Sequence, residues 1–125
     1  MIADQIEAKI KSENAKLLEA RANKRVFDHE VDFLRKDFER VKKLLRKGAI
    51  SRSKLERVET NFRKAEQQLI AAEKTVIASE ARIGQAEADR KLLDVKNAEK
   101  KSLEARLLEI QAKMAREVEV AKQFQ

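Results

Sequence analysis

The chain has 125 residues, 41% of them charged and 4% aromatic, with two glycines and no proline, cysteine or tryptophan. That length bounds it to one domain, and so little bulky apolar material excludes a globular core of any size. Ala, Glu, Lys, Leu and Arg dominate, the composition of long helices and coiled coils, while the lack of cysteine excludes disulfide scaffolds and thiolate metal sites.

The N-terminal stretch MIADQIEAKIKSENAK is amphipathic and charged, unlike a signal peptide. No apolar run approaches the length that spans a bilayer, so any targeting or anchoring segment is expected outside this chain. From Ala3 one frame runs through Ile6, Ile10, Glu13, Leu17, Ala20, Lys24, Phe27, Val31, Leu34, Phe38, Val41 and Leu45. The steps alternate three and four, which is a heptad seam with two polar interruptions. It predicts helix 1 over about 2–47.

The frame breaks at GAIS, residues 48–51. Gly48 suits the left-handed position just past a helix end. Ser51 and Ser53 compete for the cap of helix 2. Ser53-Lys-Leu-Glu56 matches a capping box, whereas Ser51 has Lys54 at the box position and is left free if Ser53 caps.

From about residue 52 a second seam runs through Leu55, Val58, Phe62, Ala65, Leu69, Ala72, Val76, Ser79, Ile83, Ala86, Arg90, Leu93 and Asn97. Folding the chain at the break pairs positions whose numbers sum to 99 or 100, such as Leu45 with Leu55, Phe38 with Phe62 and Leu17 with Ile83. Large residues often face small ones, as interdigitating layers require. Glu13 comes level with Ala86 and within a turn of Arg90, a candidate charge pair. The fold class is therefore all-α: a long antiparallel two-helix coiled coil over 1–97, tip at 48–51.

Residues 98–125 carry a phase-shifted stripe, Leu103, Leu107, Ile110, Met114, Ala121 and Phe124, with no partner in a simple hairpin. Pairing with another copy, pairing with a segment outside the chain, and folding back as a third helix all remain open. Without Gly or Pro near residue 100, a continuing helix is expected. Gly84, beside the seam, is either a tolerated glycine or a place where another helix comes close.

Charge concentrates at the tip. Residues 40–57 hold Arg40, Lys42, Lys43, Arg46, Lys47, Arg52, Lys54 and Arg57 against the single acid Glu56. That excess of seven equals the net charge of the whole chain, +7. Arg46 and Lys47 suit a helix C-terminus, but Arg52 and Lys54 oppose the dipole of a helix N-terminus. Helix stability does not explain them; an acidic or carbonyl-rich partner does, and a solvated basic end is the plain alternative. Leu44 is expected to point away from the seam and, with Ile50, to form a small exposed apolar patch.

At this tip the sequence resembles the α-helical hairpin of periplasmic adaptor proteins, the membrane fusion proteins of HlyD type in Gram-negative efflux pumps and type I secretion systems. Their tip carries Arg, three residues, Leu, six residues, Ser, a spacing filled here by Arg40, Leu44 and Ser51. The surrounding LLRKGAISRSKLERVE and the Ala-spaced AEQQLIAAEKTVIASEARI are similar too, and the likeness covers residues 27–97. Lys54 departs from it, standing where the family often has an acid. The resemblance implies a periplasmic hairpin whose tip meets a TolC-like outer-membrane channel. It implies a link to an inner-membrane transporter through domains absent here, and a homo-oligomer, usually of six. By the same resemblance Arg40 donates to channel carbonyls or carboxylates, Leu44 fills an apolar notch and Ser51 bonds across the joint. Arg46, Lys47, Gly48, Ile50 and Arg52 support them.

Other functions find little in the sequence. The only histidine, His29, sits beside the seam, and there is no glycine-rich phosphate loop or metal-ligand spacing, so no catalytic site, metal or cofactor is expected. Nucleic acid is not expected as a partner, because Trp and Tyr are absent and the positive charge is confined to one end. The alternative is a structural or tethering coiled coil with no tip-specific partner.

Overall fold

The computed structural model describes residues 1–124, so Gln125, the last residue of the expected C-terminal continuation, lies outside the described residues. Two helices make up the described residues, α1 (Ile2–Arg46) and α2 (Arg52–Gln123). At 1.5 Å per residue they are about 68 and 108 Å long. They pack against each other antiparallel, as the folded seams require.

Burial follows the two seams. Ile10, Glu13, Leu17, Ala20, Val31, Phe38 and Val41 are buried on α1, and Val58, Phe62, Ala65, Ala72, Ser79 and Ala86 on α2. Cross-helix contacts fix the register. The Phe38 and Phe62 rings stack with centroids 5.7 Å apart, and Leu34 shares a groove with Ala65. Where Phe27 meets Ala71 and Ala72, the small side chains underfill the seam. They leave an open cavity of about 270 Å³ between Ala20, Asn23, Gln68 and Thr75.

The seam is shorter than its periodicity suggested. Ala3 and Asn97 are exposed, and packing ends at Ile6 and Leu93, because α1 has no further turns to offer. Glu13 also finds a different partner. Its Oε2 accepts from Arg82 Nε at 2.9 Å, and Arg82 Nη2 donates to the Ser79 hydroxyl at 3.0 Å. Arg90 instead reaches Glu7, at 3.2 Å. The Arg82 side chain starts one turn nearer the tip and runs back along the seam to the carboxylate. Its hydrogen bond, with Lys16 Nζ 3.6 Å from Oε1, holds the Glu13 carboxyl below the usual carboxylate range against the opposing effect of burial. Two polar seam residues, Glu13 and Ser79, are thus satisfied by one arginine.

An apolar core cluster lies next to the tip, formed by Val31, Phe38, Val41, Val58, Phe62 and Ala65. Val41 is 1% exposed. The aromatic pair is closed on both sides by cations: Lys42 Nζ lies 4.3 Å from the Phe38 ring centre, and the Arg63 guanidinium 5.3 Å from that of Phe62. Beyond Asn97, α2 runs on alone to Gln123, about 40 Å of helix with every residue exposed. No helix among the described residues is long and apolar enough to cross a membrane.

Candidate functional site

The tip is built by local chemistry at both helix ends. Lys47 caps α1, and Gly48 follows in the left-handed region with φ +73°. The Gly48 N–H donates to the Leu45 carbonyl and the Ala49 N–H to that of Leu44, both at 2.9 Å. This pair of bonds is the Schellman closure, which satisfies carbonyls the helix would otherwise leave open. A Cβ at Gly48 would meet nothing within 4 Å, so the demand for glycine there comes from the backbone angle alone.

Ile50 does not belong to an exposed patch. It is half-buried and packs onto the tip-proximal core cluster, closing the end of the seam. Leu44, expected to be exposed, is half-buried as well. It stands one turn beyond Arg40 on the same side of α1, the spacing at which helix side chains become neighbours.

Ser51 is the cap of α2. Its backbone is extended, at φ −76° and ψ 152°, and its Oγ accepts from the Lys54 N–H at 3.3 Å. Ser53 lies inside the first turn, so the capping box built on it does not form. A hydroxyl carries two lone pairs and one proton, and the cap uses one lone pair. The exposed Ser51 therefore keeps a donor for something outside the chain.

Arg40 is 70% exposed and donates to the Asp37 carboxylate one turn back. That leaves most of its five N–H groups directed at solvent. Of the other basic residues between 40 and 57, Lys42 lies over the Phe38 ring. Lys43, Arg46, Lys47, Arg52, Lys54 and Arg57 make no ion pair among the described residues, and all six are exposed. The first turn of α2 contains no acid. Each base placed there works against the helix dipole by about 0.3–1 kcal/mol.

The fold therefore brings Arg40, Leu44, Ser51 and the unpaired cations to one end of the rod, with the turn's own hydrogen bonds fixing the backbone between them. Sequence reasoning missed two supports of this end. Asp37, which orients Arg40, was signalled by its i, i+3 spacing. The stack of Lys42, Phe38, Phe62 and Arg63 was signalled only by the pairing of the two phenylalanines. Compared with known proteins, the chain matches no family model, no curated protein and no solved structure.

Proposed function

We propose that this hairpin is the coupling arm of a periplasmic adaptor. Its tip docks onto a TolC-like outer-membrane channel and links it to an inner-membrane transporter for efflux or protein secretion, as part of a homo-oligomer of six. The observation that carries this reading is the set of exposed, unpaired cations beside Arg40, Leu44 and Ser51, on a backbone held by its own capping bonds. Two of those cations, Arg52 and Lys54, work against the helix they sit on, so a partner accounts for them better than stability does. Arg40 supplies a planar fork for carbonyl or carboxylate acceptors, Leu44 an apolar contact and Ser51 a hydroxyl donor. Each tip contact is small, and six on one ring gain by multivalency.

The second reading is a tethering coiled coil, and one observation favours it. Ser51 and Arg40 both have work inside the chain, as a cap and as the partner of Asp37. Two substitutions separate the readings. Ser51→Asp keeps a cap but removes the hydroxyl donor, and Arg40→Lys keeps the charge but removes the fork. Placed in the protein that carries this hairpin, both reduce export under the adaptor reading while circular dichroism stays unchanged. Normal export from both variants supports the tether.

A further inference from the structure

The outer face of α2 carries a second apolar stripe, turned away from α1. Ile77, Ala88, Ile110 and Ala121 lie on it at multiples of 11 residues, and so do Ala81, Leu92, Leu103 and Met114. All are exposed. An 11-residue repeat tracks one side of a nearly straight helix, so the stripe differs in period from the seven-residue seam on the inner face. It is also longer, running from the paired part of α2 onto the projecting end with one charged interruption, Glu99, which a reversed partner would set against Leu103. Gly84 belongs to it, and a Cβ there would meet nothing within 4 Å, so no helix of this chain approaches it.

The stripe is complementary to itself when reversed. Pairing positions whose numbers sum to 202 sets Gly84 against Val118, Ala88 against Met114 and Ala81 against Ala121. The same register sets Leu92 against Ile110 and Val95 against Leu107. Gly84 and Ala88 near the hairpin thus receive the bulkier Val118 and Met114 from the projecting end, Ala81 meets another alanine, and aliphatic residues meet near the middle. Along one flank, Glu87 and Lys91 of one copy come within a turn of Lys113 and Glu109 of the other, acid beside base. Parallel pairing in register does neither. It puts Gly84 on Gly84 and Ala88 on Ala88, which leaves voids, and it puts Glu99 on Glu99.

We propose that two copies of this chain form an antiparallel dimer through the outer stripe of α2, with the two-fold axis level with residue 101. The overlap covers residues 78–124, and roughly half of its positions face the partner in a two-stranded coil. That supplies the 20–30 or so residues a side of a standard protein interface. The contact is isologous and closes on itself, so assembly stops at two. The projecting end of each copy covers the paired part of the other, and α1 lies on the far side. The two basic tips then point apart, about 150 Å from each other. Copies in this dimer cannot present their tips together, so it is a form that must open before tips line up on one target. The dimer goes beyond the docking reading and does not depend on it, because no tip residue takes part.

The test is sedimentation equilibrium of the full chain over about 1–100 µM, a range that spans modest interface affinities. Wild type is expected as a dimer. Ala88→Glu alone and Met114→Lys alone each weaken dimerisation at least about tenfold. Combining them restores it, because the new acid and the new base meet in one layer. Circular dichroism on each variant reports whether the hairpin is intact. Spin labels on Ser102→Cys or Ala112→Cys, both off the stripe, then read the direction, using a chain with no cysteine of its own. In the antiparallel dimer the axial separation of the two labels grows by about 3 Å for each residue away from 101, so the distance is expected to be longer at 112 than at 102. A monomer at every concentration, a double variant as weak as the single ones, or a label distance that does not change with position overturns the proposal.

Discussion

At Ser51 the hydroxyl oxygen accepts the Lys54 amide, and the hydroxyl proton is left for a neighbour. Ser51→Ala is expected to cost the hairpin about 1 kcal/mol in urea unfolding, and Ser51→Asp to restore that loss. The sequence pattern left Ser51 and Ser53 competing because it reads only local spacing. What decides the cap is Ile50, whose packing onto the core cluster makes Ser51 the first residue free to hold an extended backbone ahead of α2. Glu13 was legible as a polar seam position, but its partner was not. A long arginine reaches a full turn along a seam, so level positions do not identify who pairs with whom. With its pKa lowered in the folded state, the Glu13 carboxylate contributes stability above the ordinary glutamate range, and the contribution is lost as pH falls through the folded value. Thermal melts should therefore show Glu13→Gln less stable than wild type at pH 7, with the difference shrinking as pH falls below the ordinary glutamate range.

At the scale of the elements, heptad spacing gave both helices and their antiparallel register, and with Gly48 it gave the position of the turn. It placed the end of the seam near residue 97, one turn past the last covered position Leu93, because a periodic pattern continues whether or not a partner helix is there to cover it. That is why Asn97 fits the frame yet is exposed. The turn depends on Gly48, and Gly48→Ala is expected to cost about 1–2 kcal/mol by urea unfolding, since any L-residue pays for the left-handed angle. The stacked rings beside it matter more. Phe62→Ala opens a cavity in the tip-proximal cluster and should cost about 3–5 kcal/mol in the same measurement. The candidate site was legible in its charges and spacing. The half-burial of Leu44 and Ile50 was not, because it depends on how the turn tucks against the end of the seam rather than on helical phase.

The whole molecule is a rod with a balanced shaft and its net charge at one end. An exposed cluster of this kind steers encounter over a Debye length, which shrinks from about 30 Å at 0.01 M salt to about 8 Å at 0.15 M. If the tip docks as proposed, association of the hairpin with a TolC-like channel slows over that range, with dissociation changing less. Leu44 offers the cleanest test of whether the tip docks at all. Its side chain neither caps a helix nor pairs with a charge, and the turn uses only its backbone carbonyl. The decisive measurement is export by the protein carrying Leu44→Ala, made beside the thermal melt of the Leu44→Ala hairpin. The account predicts that export is lost while the hairpin still folds and melts cooperatively. Normal export with an intact hairpin would contradict it and return the tip to the role of a solvated end.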